Sequence, residues 1–253
     1  MAQRDHRSPG RSGARPPGPR GGARVLLAGG AALTGAYLLP GLAAPVPPLR
    51  RPLGVVARTA DPDRVALSFD DGPPPQGTPA VLGLLADRGV RATFFLVGEQ
   101  VARDPSLAAE IVAAGHRVGL HCDRHRNLLR LGPRAVAEDI ARARARIEDA
   151  TAAPIELYRP PYGVFNAAAL AICRRRSWRP LLWTHWGRDW EARATPESIA
   201  TRLTGPGLGP GSVLLAHDAD DYSAPGSWRR TLAALPLVLD ELDRRGLEPT
   251  TRL

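Results

Sequence analysis

Hydrophobic and polar positions alternate along residues 64–253 in a pattern that predicts strands and helices in turn. Short apolar runs typical of buried strands cover residues 64–72, 90–98, 116–121, 155–163, 179–186 and 211–218, with a weaker seventh candidate at 247–253. Runs with helical spacing lie between them, at 78–89, 104–115, 132–150, 166–176, 195–203 and 228–246. This alternation predicts parallel βαβ units, which fit either an incomplete α/β barrel or an open, doubly wound sheet.

Glycine-rich phosphate-binding motifs are absent from the sequence. Neither G-x-G-x-x-G after a predicted strand nor G-x-x-x-x-G-K-[ST] occurs, and the chain contains no lysine. The sequence therefore offers no support for a nucleotide-binding fold.

The N-terminal region divides into three segments before the predicted α/β domain at 60–253. Residues 1–24 are rich in Arg, Gly and Pro and predict a basic disordered tail. Residues 25–46 carry no charge and are long enough to cross a bilayer, and "GLAAP" offers a small-residue cleavage site. A cleaved signal peptide and an uncleaved signal-anchor both fit. Residues 47–59 are predicted to be an extended Pro-rich linker.

The orientation rule for such a segment predicts export, because positive charge precedes the apolar run. The protein is then secreted or anchored to the outer face of a bacterial cytoplasmic membrane, touching the membrane only through residues 25–46 if they are not cleaved. A buried core helix is the alternative for the same residues.

Positive charge is concentrated in the N-terminal region. The chain has a formal net charge of +9, and residues 1–58 contain nine arginines and one aspartate, which leaves +1 for residues 59–253. Nucleic-acid binding by the folded part therefore loses most of its support, since that function requires a basic surface.

Polar residues follow several predicted strands, and in parallel α/β folds functional sites form at the carboxyl ends of strands. Asp70 and Asp71 end the first predicted strand; their mutual repulsion is relieved if a cation binds there. His121 and His125 lie at and just beyond the end of the third, and in a helical turn both face one ion. Two imidazoles and one carboxylate form a catalytic zinc arrangement. The alternative is a polar turn with two surface histidines.

Five motifs occur in a fixed order: "SFDDGP", "HCDRH", "RPPYG", "RDW" and "LLAHD". In this order they resemble the motifs of the polysaccharide deacetylase family (the NodB homology domain, carbohydrate esterase family 4). The resemblance covers roughly residues 60–253. It implies a distorted (β/α)7 barrel that removes N-acetyl groups from an N-acetylglucosamine polysaccharide, such as peptidoglycan or chitin oligomers, and releases acetate.

The resemblance also implies a metal-dependent mechanism. The metal, zinc with cobalt or manganese as alternatives, polarises the acetamide carbonyl and lowers the pKa of its bound water. Its ligands are Asp71, His121 and His125. The resemblance further implies that Asp70 is the general base, oriented by Arg159, and that His217 is the general acid, with Asp189 as its partner. The backbone N–H of Tyr162 then binds the oxyanion, and Trp190 and Leu215 form the walls of the acetyl pocket.

Other activities remain open on the same residues. An acetyl-xylan type O-deacetylase, a non-sugar amidohydrolase and a catalytically silent glycan-binding module all fit this fold. The two cysteines, Cys122 and Cys173, do not by themselves predict a disulfide. Cys122 stands where the family usually has Ser or Thr, so we interpret it as a substitute for that hydroxyl brace, with a spare soft ligand and an oxidation-sensitive position as alternatives. No role is assigned to His116, His185, Asp218 or Tyr222.

Overall fold

The structure, a computed structural model, describes residues 32–253. The predicted basic tail at 1–24 and residues 25–31 of the predicted export segment lie outside the described part. Among residues 32–253, no helix combines the length and the hydrophobicity needed to cross a membrane.

A single parallel sheet of seven strands forms the centre of the fold. Its spatial order is β5-β4-β3-β2-β1-β7-β6, and every neighbouring pair is parallel. The strands are β1 Ala66–Asp70, β2 Thr93–Val97, β3 Arg117–Cys122, β4 Leu157–Tyr158, β5 Arg179–Pro180, β6 His185–Trp186 and β7 Val213–His217. The predicted distorted (β/α)7 barrel is confirmed. The open, doubly wound alternative is excluded because the sheet curls until its two edges approach each other.

The predicted fifth strand, 179–186, is two strands that lie at opposite edges of the sheet. Only residues 181–184 separate β5 from β6, and so short a segment spans at most about 18 Å. The sheet must therefore curl until its two edges approach each other at this segment.

The predicted strand at 247–253 is wrong. That region makes one isolated bridge, between Val65 and Pro249, and Pro249 has no N–H with which to continue a ladder. The C-terminal Leu253 is instead buried in a small apolar cluster with Ala66, Phe95 and others.

The helices of the described residues are α1 at residues 32–38, α2 Arg50–Leu53, α3 Gly77–Asp87, α4 Gly98–Arg103, α5 Pro105–Ala113, α6 Pro133–Thr151, α7 Ala167–Arg176, α8 Pro196–Leu203 and α9 Ser227–Arg244. Helices α3 and α5 to α9 lie close to their predicted positions, whereas α2 falls in the predicted linker. Short 3₁₀ turns occur at Leu39–Ala43, Pro47–Leu49, Leu128–Arg130 and Pro161–Gly163. Sequence periodicity did not predict α4, which begins directly after β2 and is too short to show a pattern.

Alternation along β1 separates the two sides of the sheet. Leu67 and Phe69 belong to the large apolar core that the helices cover. Ala66, Ser68 and Asp70 share the other face because successive strand residues point to opposite sides. Along β1, these side chains in the barrel interior change from apolar to charged, so the charged one lies at the carboxyl end of the strand.

Residues 47–59 do not form the predicted extended linker. Pro47–Leu49 and Arg50–Leu53 are helical turns, and Gly54 ends the second turn in the left-handed region at φ 72°. Val56 then pairs with Leu181 next to β5. Prolines at the starts of short helical turns are favourable because the first N–H groups of a helix have no internal partner.

Candidate active site

The five motifs meet at the carboxyl ends of the strands. Asp70 ends β1 and lies in register with His217, which ends β7. His121 lies near the end of β3, and Arg159 directly follows β4. These residues converge because the strands are parallel and therefore end at the same edge of the sheet.

Asp71, His121 and His125 form a compact cluster of metal-ligating atoms. Asp71 Oδ1 lies 3.3 Å from His121 Nε2 and 3.4 Å from His125 Nε2. One ligand atom from each of the three residues lies within 4.8 Å of the others. Asp71 occupies the left-handed backbone region at φ 80°, a conformation that a non-glycine residue adopts only when its surroundings enforce it.

Protonation and tautomer both suit metal binding at this cluster. The Nδ1 atom of His121 lies 2.7 Å from the carbonyl oxygen of Arg159, which can only accept, so Nε2 carries the free lone pair. Burial lowers the pKa of His125 to about 4, against the opposing charge of Asp71, so this imidazole is neutral at pH 7. Burial raises the pKa of Asp71, but the close approach of His121 and the positive charges of the surrounding histidines when protonated outweigh burial and bring the pKa to about 2.

The cluster fits a divalent cation. Asp71 Oδ1 is buried and has no hydrogen-bond partner, and an orphaned carboxylate oxygen is costly unless a cation compensates it. Two neutral imidazoles and one carboxylate are the ligands found in catalytic zinc sites.

Asp70 is held by a buried arginine. Arg159 Nη1 donates to Asp70 Oδ1 at 2.7 Å and to the hydroxyl of Ser68 at 3.0 Å. Arg159 is 0% exposed, and its guanidinium lies over the ring of Phe95, 4.0 Å from the centroid. Nη1 of Arg159 thus fixes one oxygen of Asp70, while the other oxygen lies 3.9 Å from His121 Nδ1, on the side of the histidine cluster.

His217 is held by Asp189, a second buried carboxylate. The imidazole Nδ1 lies 2.8 Å from Asp189 Oδ1, and Thr231 donates its hydroxyl to Asp189 Oδ2 at 2.8 Å. Burial lowers the pKa of His217, but the charge and hydrogen bond of Asp189, with Asp71 and Asp70, raise it to about 10. His217 is therefore protonated at neutral pH, with Nε2 4.0 Å from Asp71 Oδ2.

A cavity of about 230 Å³ opens over these groups. Trp190 and Leu215 line it, as predicted, and the Trp190 ring meets His217 edge-on at 5.5 Å. Tyr162 also lines it, with a left-handed backbone at φ 61° and a side chain that is 60% exposed. All of the predicted site residues thus meet in one place: Asp70, Asp71, His121, His125, Arg159, Tyr162, Asp189, Trp190, Leu215 and His217.

Sequence reasoning missed three aromatic residues of the cavity. Tyr222, which had no assigned role, stacks on His125 with a centroid distance of 4.4 Å and an interplanar angle of 12°. Its hydroxyl donates to Glu99 at 2.7 Å. Trp183 and Trp186 continue the aromatic wall from Trp190. The cluster of tryptophans in "WTHWGRDW" was the available signal for the last two.

The remaining unassigned polar residues are not members of the ligand cluster. His116 Nδ1 accepts from the N–H of Ala92 at 3.0 Å, a structural role. His185 lies 3.2 Å from the carbonyl oxygen of Pro206. Asp218 is buried and accepts from the Thr78 hydroxyl, and burial raises its pKa to about 7.

Cys122 and Cys173 are both free and buried, so they form no disulfide with each other. Burial raises the pKa of the Cys122 thiol well above its usual value. A thiol in that state is a poor metal ligand, because the thiolate is the binding form. The interpretation of Cys122 as a brace stays a prediction.

Comparison with known proteins places this site in a family. Residues 57–179 match the sequence model described as polysaccharide deacetylase. The chain is 33% identical over 207 residues to a chitooligosaccharide deacetylase of Bradyrhizobium sp. (strain ANU 289), which covers 79% of this chain and 92% of that protein. It is 32% identical over 184 residues to a peptidoglycan-N-acetylglucosamine deacetylase of Bacillus cereus, which covers 72% and 83%, respectively.

Solved structures agree with the sequence comparison. A crystal structure of a peptidoglycan N-acetylglucosamine deacetylase with a bound N-oxidanyl-benzamide superposes with a TM-score of 0.72 and 26% identity. The superposition covers 78% of this chain and 90% of that one. The fold, the ordered motifs and these relatives agree, and the chain belongs to the polysaccharide deacetylase family.

Proposed function

We propose that this chain is a zinc-dependent hydrolase that removes N-acetyl groups from N-acetylglucosamine residues of peptidoglycan or chitin oligomers and releases acetate. The observation that carries the proposal is the cluster of Asp71, His121 and His125, which lies close to both the Asp70–Arg159 pair and the His217–Asp189 pair. A carboxylate that can accept a proton and an imidazolium that can donate one are therefore both near one ligand set.

Asp71, His121 and His125 would hold the metal. Zinc, when bound there, supplies Lewis-acid chemistry: it polarises a carbonyl group and lowers the pKa of water. Cobalt and manganese bind similar ligand sets, so metal replacement distinguishes among them.

Asp70 acts as the general base in this mechanism. Arg159 occupies one of its carboxylate oxygens, and the other accepts the proton of the attacking water. Because the guanidinium is buried and hydrogen-bonded to Ser68 as well, it fixes the orientation of Asp70 rather than merely neutralising its charge.

His217 acts as the general acid. Asp189 accepts from Nδ1 and raises the pKa of the imidazole, so Nε2 carries a proton towards the leaving amine. The acetyl methyl group packs against Trp190 and Leu215, which line the cavity beside His217. The backbone N–H of Tyr162 donates to the developing oxyanion.

The proposed substrate follows from the relatives and from the cavity. The relatives aligned above are named for chitooligosaccharides and for peptidoglycan N-acetylglucosamine, and both substrates present an acetamide on a pyranose ring. The exposed rings of Tyr162 and Trp186 offer apolar faces of the kind on which sugar rings stack. Export to the outer face of the membrane, by residues 25–46, brings the enzyme to such polymers.

Product analysis tests the proposal. Purified protein loaded with zinc is incubated with N-acetylglucosamine oligomers and, separately, with acetylated xylan. We expect acetate and free amine to appear in equal amounts from the first substrate. Acetate from xylan without activity on the oligomers would replace N-deacetylation by O-deacetylation, and bound zinc without acetate from either would favour a glycan-binding module.

A further inference from the structure

Residues 37–53 follow the surface of the barrel and pack onto it, although the sequence predicts an export segment through residue 46 and a linker after it. We call residues 37–53 the strap. We propose that the strap is a permanent part of the catalytic domain, that it braces the two loops carrying His125 and Tyr162, and that the mature protein therefore retains it.

A tyrosine and an asparagine fasten the start of the strap. The hydroxyl of Tyr37 donates to the carbonyl oxygen of Leu131 at 2.8 Å and accepts from Asn166 Nδ2 at 2.9 Å. Asn166 Nδ2 also donates to the carbonyl oxygen of Leu128 at 2.9 Å. Asn166 is fully buried, and its Oδ1 caps helix α7 by accepting from the N–H of Ala169. Tyr37 thus completes a hydrogen-bonded junction between two separate loops.

Apolar contacts fix the next residues of the strap. Pro40 is buried, and Ala43 is 0% exposed within the main apolar core. Gly41 lies so close to the domain that a Cβ added there would be 3.1 Å from Leu129 Cδ2 and 3.4 Å from Val164 Cγ1. Such an approach is characteristic of a packed segment rather than of a tether.

Hydrogen bonds within the strap also stabilise its conformation. Arg50 donates from Nε to the carbonyl oxygen of Ala43 and from Nη2 to that of Ala44, both at 2.9 Å. These carbonyl groups belong to the Ala43–Ala44 and Ala44–Pro45 peptides, within the predicted cleavage site "GLAAP". The helical turns at 47–49 and 50–53 therefore hold the residues before that position in place.

The strap contacts the active-site loops a few residues beyond the functional side chains. The 3₁₀ turn Leu128–Arg130 follows His125, and Val164 follows Tyr162 closely in the chain. The two loops also meet directly, because the Tyr162 ring packs edge-on against His125 at 4.8 Å. By joining the bases of both loops, the strap limits the movement of His125 away from Asp71.

This arrangement limits both alternatives for the N-terminal segment, the cleaved signal peptide and the uncleaved anchor. Cleavage after Ala44 would remove Tyr37, Pro40 and Ala43 from the folded domain. Residues 37–46 cannot lie in a bilayer and on the domain at once, so docking also reduces the stretch available to an anchor to 25–36. We therefore expect the mature N-terminus to lie upstream of Tyr37, whether or not the chain stays attached to the membrane.

The mature N-terminus tests retention directly. The full chain is expressed in an exporting bacterium, the exported protein is purified from membrane and medium, and its intact mass and N-terminal peptide are determined. A folded product that begins at or before Tyr37 supports the strap. A folded product that begins at any residue after Tyr37 overturns it.

Variants of the full chain test the bracing role, which rests on the proposed metal site. Tyr37→Phe removes the junction hydroxyl, and Gly41→Val forces the segment outwards. Leu42→Ala, at a side chain that is 45% exposed in the same turn, is the matched control. Zinc affinity is measured by competition with a chromogenic chelator, without any assay of activity.

We expect Tyr37→Phe and Gly41→Val to weaken zinc binding by roughly three- to tenfold, less than the loss typical of a residue bonded directly to a ligand. Leu42→Ala retains the affinity of the unmodified chain. Equal affinity in all three variants, or an equal loss in the control, overturns the bracing role. Failure of the unmodified chain to bind zinc would refute the proposed function instead, and the position of the mature N-terminus would still decide retention.

Discussion

Asp189 binds His217 with both of its carboxylate oxygens. Oδ1 lies 2.8 Å from the ring Nδ1, and Oδ2 accepts from the backbone N–H of His217 at 2.7 Å. One buried carboxylate therefore sets both the orientation and the charge of the proposed general acid. Burial raises the pKa of Asp189, but His217 more than compensates and holds it below its usual value.

The Asp189→Asn variant tests this relationship through the pH profile. Without the carboxylate the pKa of His217 falls, so the acid loses its proton at lower pH, and the alkaline limb of kcat/KM moves to lower pH. We expect kcat to fall by about 10²- to 10⁴-fold at neutral pH, the usual contribution of a general acid. Thr231→Val, which leaves the charge of Asp189 in place, is the control. An alkaline limb that stays in position in Asp189→Asn would contradict the assignment of His217.

Arg159→Met tests the buried ion pair with Asp70. The substitution leaves the carboxylate of Asp70 buried without its cationic partner. Removal of one partner of a buried ion pair typically lowers the free energy of unfolding by about 3–5 kcal/mol. We expect urea unfolding of the metal-free protein to show a loss of this size. The double variant Arg159→Met/Asp70→Asn is expected to recover part of it because the uncompensated charge is gone. A single variant as stable as the unmodified chain would contradict a structural coupling between the two residues.

Tyr222 tests the packing around the proposed metal ligand His125. Tyr222→Ala removes the stacked ring, and we expect zinc affinity to fall by about tenfold or more, as for other residues that support a metal ligand. Tyr222→Phe keeps the ring and loses only the hydrogen bond to Glu99, so its affinity is expected to stay within about threefold of the unmodified chain. Equal losses in both variants would assign the effect to the hydroxyl rather than to stacking.

Trp186→Ala tests the outer wall of the cavity. Trp186 is 45% exposed and contacts Trp190 at 5.4 Å between ring centroids, so it can stack on a sugar without touching the reacting groups. We expect KM for N-acetylglucosamine oligomers to rise several-fold with little change in kcat. Trp228→Ala, at a tryptophan outside the cavity lining, is the control. A loss confined to kcat would place Trp186 in the acetyl pocket instead.

The sequence predicted the fold and the central residues because both depend on short-range patterns. Strand alternation and helical spacing locate β1, β3 and β7, and parallel strands bring Asp70, His121 and His217 to one edge whatever the details of packing. Ordered motifs then identified the members of the site that lie in loops, among them Asp189 and Tyr162.

Other features depend on tertiary contacts that no local pattern records. Tyr222 contacts His125 from a loop that has no hydrophobic periodicity. The segment predicted as one strand at 179–186 forms two strands because its two ends pair at opposite edges of the curled sheet. The strap is a different case: a charge-free apolar segment has the same composition whether it enters a membrane or packs on a domain. Pro40 and Ala43 show that part of this segment is buried in the fold.

The most direct test of the account is acetate release from N-acetylglucosamine oligomers by the zinc-loaded protein, compared with its chelated form and with Asp70→Asn. Asp63→Asn, an exposed carboxylate variant, is the control, and melting temperature and zinc content establish that each variant is folded and loaded. We predict release by the unmodified protein and by Asp63→Asn, and loss of at least about 10²-fold on chelation and in Asp70→Asn. Undiminished release by folded, zinc-loaded Asp70→Asn, or by the chelated enzyme, would contradict the proposed mechanism.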